Sequence, residues 1–211
     1  MSTLSVNNIT TQTGDTITVP SGKIFVSPGL PIQTVLGQDE TGTSMGNAGI
    51  AVRFMNVPIT TKVANSTFLI RFSSAIYSAQ QNTGQYDVDL AAAMGFKTGT
   101  ASTTSTDYTA ISTYSPTRET ITFAGNVDRA FFAFDAFPVN AGYNKYVPVC
   151  SLYNEDTFSP NQPAGTVINV ACFIKVDSNP TGGAYINIGY PQTGMVDSGT
   201  VSSLTITEFA P

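Results

Sequence analysis

The chain predicts an all-β protein, a short N-terminal β-hairpin arm followed by a sandwich or barrel. Three observations lead there. Apolar residues alternate with polar ones in short runs, and clusters of Gly, Pro, Asn and Ser separate the runs at fairly even spacing. Charged residues make up only 11% of the 211, against about 25% in an ordinary soluble domain. Only "DLAAAMGF", Asp89–Phe96, offers a helix, ending at Gly95, and even there a strand is the open alternative. A body of roughly 170 residues would bury about 70% of its unfolded surface, so no staple is required.

The arm comes first, in residues 1–37. It carries one acid, Asp15, and one base, Lys23, with Leu4, Val6, Ile9, Ile17, Val19, Ile24 and Val26 set among Thr, Ser and Asn. Ile17/Val19 and Ile24/Val26 alternate with polar residues on either side of Pro20-Ser21-Gly22, which has tight-turn chemistry. A lone two-stranded hairpin is marginal in water, so its apolar face must meet the body, sister chains or another protein. Extended, about 35 residues reach on the order of 115 Å, enough to bridge neighbours in an assembly. Ser27–Thr34, "SPGLPIQT", marks the passage from arm to body.

The body, residues 38–211, holds nine candidate strands. They are Ile50/Val52/Phe54, Phe68/Ile70/Phe72, Tyr86/Val88/Leu90, Ile121/Phe123, Phe132/Phe134, Val147/Val149, Ile168/Val170/Cys172/Ile174, Ile186/Ile188 and Leu204/Ile206. Lys97–Ser115, rich in Ser and Thr, reads as a mobile loop or an exposed edge strand. "RAFFAFDAFPV", Arg129–Val139, is apolar on both faces. It is either a central core strand or one whose second face, Phe131 and Phe137, seals against a neighbouring subunit, with Asp135 then needing Arg53 or Arg71 as partner.

Several chemistries are excluded. The chain has no histidine, which removes Ser-His-Asp and Cys-His catalysis and HExxH zinc sites together. Asp87 and Asp89 share one strand face and read as a solvated face, with a Ca²⁺ site as the lesser alternative. "NEDT", Asn154–Thr157, and "QDET", Gln38–Thr41, read as turns first and calcium sites second. Cys150 and Cys172 lie in strand-like runs and read as free thiols, a redox pair or metal site being the alternative. A net charge of −5 and scattered Lys and Arg argue against nucleic acid and against acidic partners generally. "MSTLSVNNIT" lacks a secretory pattern, and no run reaches the roughly 18 apolar residues of a membrane span. No metal, cofactor or membrane insertion is expected, and synthesis is expected in the cytoplasm, without Sec export.

A resemblance goes further. "STLSVNNITTQTGDTITVPSGKIFVSPG" resembles the N-terminal segments of bacteriophage virion structural proteins, the tail-fibre-like and head-decoration proteins frequent in phages of cyanobacteria, and "GAYINIGYPQTGMVDSGTVSSLTITEF" is similar to their last strands. The resemblance covers about the first 35 and last 30 residues. It implies a homotrimer on the virion surface, with intertwined or capsid-anchoring arms and a jelly-roll-like body facing outward. On that view the protein is a non-enzymatic decoration, cement or head-fibre protein whose partners are itself and the major capsid protein or another virion protein. The alternative is a tail fibre or adhesin that recognises a host-surface glycan through Tyr108, Tyr114, Tyr143 and Tyr146 in the loops Thr106–Tyr114 and Asn140–Tyr146.

Overall fold

A computed structural model describes residues 26–39, 43–45, 48–79, 87–116, 119–134, 146–179, 183–186 and 201–211. Leu4, Val6, Ile9, Ile17, Val19, Ile24, Asp135, Phe137 and Tyr143 lie outside the described residues. The strands are β1 (Pro31–Asp39), β2 (Thr43–Met45), β3 (Ala48–Thr60), β4 (Thr67–Ala79), β5 (Asp87–Thr98), β6 (Thr109–Ala110), β7 (Ile121–Phe123), β8 (Val127–Arg129), β9 (Phe132–Phe134), β10 (Tyr146–Phe158), β11 (Val167–Asn179), β12 (Gly183–Ile186) and β13 (Ser202–Phe209). A single 3₁₀ turn, Ser105–Asp107, is the only helical element among the described residues. Each of the nine expected runs falls at least partly in a strand; β1, β2, β6 and β8 were not among them.

The pairings are antiparallel and nest. β1 runs beside β13, β3 beside β11, β4 beside β10 and β5 beside β9. These four pairs nest like one long ribbon folded back on itself, and successive pairs alternate between two sheets. In the first sheet β13 joins β1 to β4, with β10 on the far side of β4; β12 takes over beside β4 where β13 stops, and β2 lies beyond it. In the second, β11 joins β3 to β5, and β6 and β9 share the outer edge of β5.

Between the sheets lies the main core. Phe68, Ile70 and Phe72 of β4, Leu152 of β10 and Leu204 and Ile206 of β13 meet Ile168, Val170, Cys172 and Ile174 of β11 and Leu90, Ala92 and Met94 of β5. Fully burying one such aliphatic or aromatic side chain stabilises by about 1.5–3 kcal/mol. β3 contributes through a bulge: Cys172 pairs with Met55 and Phe173 with Arg53, so Phe54 has no partner opposite. The extra residue lets Phe54 and Met55 both enter the core. Ile50, expected on the Phe54 face, is instead 67% exposed.

The second sheet has a further layer on its other face. Ala91, Ala93, Ala171 and Phe173 point away from the main core and are covered by Tyr108, Ile121 and Phe123. Phe173 meets Tyr108 at 5.1 Å and Phe123 at 5.9 Å, both edge-on. This explains "LAAAMGF", which is strand rather than helix: the small residues make room for the cap. A Cβ at Gly95 would stand 2.6 Å from Phe123 Cε1. Lys97–Ser115 is likewise neither a mobile loop nor mainly an edge strand; Tyr108, Ile111 and Ser112 are buried within it, and only Thr109–Ala110 pair at the edge.

Other expectations change as well. "NEDT" is interior to β10 rather than a turn. Phe132–Phe134 form a short strand along the edge of β5, not a central one. Phe131, expected at a subunit seam, packs its half-buried ring on the core of its own chain, 5.8 Å from Phe72. The arm–body boundary at residue 37 also falls inside β1, which pairs with β13 from Pro31 to Asp39. Ahead of it Leu30 N donates to Ser27 O at 2.9 Å across a turn in which Gly29 takes φ +73°. Gly29 N and Ala210 O, and Ala210 N and Leu30 O, bond at 3.1 and 3.0 Å, so the root of the arm sits beside the C-terminal strand.

Candidate functional site

The cap carries a cleft. Three left-handed or near-turn residues end β7, with Gly125 at φ +76° and Asn126 at φ +56°, and reverse the chain into β8. The preceding segment, Thr109–Thr113, is pinned along its length. Ala124 N donates to Tyr108 O at 2.9 Å at one end, and Ala130 N to Tyr114 O at 2.8 Å at the other. In the middle Ile111 N donates to Met94 O at 2.8 Å, and Met94 N donates to Ser112 Oγ at 3.0 Å. Held at both ends but not between, the two segments leave a cleft of about 280 Å³ lined by Thr109–Thr113, Ala124, Val127 and Arg129.

The tyrosines expected to meet a glycan separate. Tyr108 is fully buried; its hydroxyl donates to Ser102 O at 2.9 Å and accepts from Ser102 N at 3.0 Å, so it is a structural post and not a contact residue. Tyr114 follows Thr113 at the end of the cleft and is 62% exposed. Tyr146 begins β10, opposite Ala79. Arg129 was missed in the sequence; its signal was the Gly-Asn reversal in "ITFAGNVDR", which makes the residues after it a strand with a fixed face.

A second exposed arrangement lies on the outer face of the first sheet. Arg71 and Glu155 are directly opposite each other in β4 and β10, and their side chains pair at 2.9 Å. Tyr153, 64% exposed, donates its hydroxyl to the same Glu155 oxygen at 2.7 Å. The Arg71 guanidinium and the Tyr153 hydroxyl hold the Glu155 carboxyl below the usual range, while the bond to Glu155 pushes the Tyr153 phenol up.

Buried polar groups serve the fold. Glu208, fully buried on the inward face of β13, receives Lys62 N at 2.9 Å, Val63 N at 3.1 Å and Gln33 Nε2 at 2.5 Å, with Ser66 Oγ at 2.7 Å. It clasps the β3–β4 connection to the first and last strands of the sheet. Lys175 of β11 pairs with Glu119 at 2.9 Å. Cys172 is a free thiol in the main core, and burial pushes its pKa well up, so it stays protonated and inert. Among the described residues no group of three His, Cys, Asp or Glu could hold a metal ion, and no helix is long and apolar enough to cross a membrane.

No protein-family model matches the chain, and no curated protein matches its sequence. Similar in outline are solved structures of a virus. One, the structure of infectious bursal disease virus Gx strain, is 13% identical with a TM-score of 0.32, covering 93% of this chain and 47% of that one. The Gt strain structure is 10% identical with a TM-score of 0.30, covering 93% and 42%. The crystal structure of the infectious bursal disease virus VP2 subviral particle is 13% identical with a TM-score of 0.26, covering 93% and 46%. The chain spans about half the length of each. At these scores the likeness establishes neither a shared fold nor a shared role.

Proposed function

We propose that the chain is a non-enzymatic virion structural protein, a homotrimeric capsid decoration, cement or head-fibre protein anchored through its N-terminal arm. The observation that carries this is the nested ribbon, with β1·β13, β3·β11, β4·β10 and β5·β9 falling alternately in two sheets. That order is what a rolled antiparallel ribbon, a jelly roll, would have. Jelly rolls recur in viral capsid and lectin domains, and the step from architecture to role is one of analogy. The resemblance of both chain ends to phage virion proteins adds to it.

On this reading the arm is residues 1 to about 30, since β1 belongs to the body. Its root at Gly29 and Leu30 bonds to Ala210 at the end of the C-terminal strand, and Val26 just before it is 46% exposed. Three such arms sharing one apolar axis would bury Ile17, Val19, Ile24 and Val26 together, and three attachment points would multiply weak docking by effective concentration. Removing residues 1–26 is expected to leave a folded body that no longer trimerises or joins particles. Light scattering and imaging of decorated particles check this; a truncated chain that still decorates them overturns it.

A second reading, recognition of a host-surface glycan, is favoured by the exposed ring of Tyr114 at the end of a cleft. Retained binding to a glycan array by the isolated body is its test.

A further inference from the structure

We propose that the cleft between Thr109–Thr113 and the β7–β8 hairpin binds a saccharide bearing a carboxylate, with Arg129 as the anion's partner. This rests on the second reading of function and names its site and ligand class.

Alternation along β8 places Val127 and Arg129 on one face, and both line the cleft. Asp128, between them, turns to the other face, where its carboxylate accepts from Thr122 Oγ1 at 2.6 Å. The Arg129 guanidinium spends one donor on Asp128 O, at 2.7 Å, and no carboxylate among the described residues pairs with it. A guanidinium keeps further donors in a rigid fork suited to a carboxylate. Ala110, Ala124 and Val127 supply apolar wall for the C–H face of a sugar ring, and Thr109 and Thr113 supply hydroxyls for its hydroxyl groups. The volume, about 280 Å³, suits a single ring. Tyr114 stands exposed at the end of the cleft, where a second ring of a chain would stack.

The bonds to Met94, Tyr108 and Tyr114 fix the walls before any ligand arrives, which lowers the ordering cost of binding. One cation among hydroxyls matches a monoanionic carboxylate better than a phosphate dianion. The net charge of −5 disfavours acidic partners at long range, but charges beyond about 8 Å are screened at physiological salt, so the near guanidinium decides.

The test uses the full chain and isosteric pairs: glucuronic acid against glucose, and galacturonic acid against galactose, followed by NMR titration. The acids are expected to perturb signals of Thr109–Thr113 and Val127–Arg129 and to bind at least about tenfold more tightly than the neutral sugars, the effect of one charge-assisted hydrogen-bond pair. Arg129→Ala is expected to reduce the acids to the level of the neutral sugars and Arg129→Lys to restore part of the difference. Tyr114→Ala should weaken binding of oligomers of these acids; thermal melting confirms that each variant is folded. Equal binding of acid and neutral sugars at the cleft overturns the ligand class. Saccharide binding that Arg129→Ala leaves unchanged, or perturbations elsewhere on the body, overturns the site while leaving glycan recognition standing. No saccharide bound, on the array or in titration, overturns both.

Discussion

The outer faces of the two sheets differ in what lies on them. On the first sheet the outward residues of β13, β4 and β10 meet solvent: Ser203, Thr205, Arg71, Glu155 and Tyr153 stand in rows set by the pairing register. On the second sheet the outward residues of β5 and β11 are Ala91, Ala93, Ala171 and Phe173, wholly buried under the cap. One face reads polar every second residue and the other reads as continuous apolar sequence. A strand buried on both sides loses its alternation, and here the loss marks the side from which the chain's own excursion, residues 100–130, comes back to cover the sheet.

Four experiments break or sharpen that contrast. Phe173→Ala removes the ring on which Tyr108 and Phe123 both rest and is expected to cost about 3–5 kcal/mol in denaturant melts; the equivalent outward change on the bare face, Thr205→Ala, should stay within about 0.5 kcal/mol. Glu208→Ala leaves the Lys62 and Val63 N–H groups without their acceptor, and a loss of up to about 3 kcal/mol is expected, with faster amide exchange confined first to residues 61–66. Gly95→Val forces a side chain against Phe123 and should cost about 1–3 kcal/mol and open the cap before the main core.

The smallest effect belongs to the exposed ion pair. The Glu155 carboxyl titrates below its ordinary value, so any stabilisation it gives is complete above that ordinary value and is lost as pH falls through the lowered one. NMR titration of the Glu155 carboxyl should show its midpoint rising toward the ordinary glutamate value in Arg71→Ala, with the melting temperature at neutral pH nearly unchanged because the pair is solvated.

Much of the framework was legible. "SSLTITEF" alternates cleanly, and β13 is buried at every second residue from Ser202 to Glu208. The same pattern could have singled out Glu208, an acid at an inward position that must find donors. "LAAAMGF" was ambiguous because three alanines and a glycine satisfy a helix as well as a crowded strand; only Phe123, about thirty residues on, decides between them. Tyr108 looked exposed because its neighbours are Ser and Thr, yet Phe173, reached only through the fold, and the nearby Ser102 backbone enclose it. The bulge at Phe54 was invisible too, since nothing in "GIAVRFMNV" tells which residue lacks a partner.

By itself, the sequence determined that the protein is built of strands, and which residues in each strand can share a face, because a period of two is a property of the extended backbone. It also ruled out histidine chemistry outright. Only the tertiary structure decided which strands nest as partners, which outer face is covered, and that Arg129 turns toward a cleft while Tyr108 turns away from solvent. Those outcomes depend on contacts between segments far apart in the chain, and local alternation carries no record of what will be laid against it.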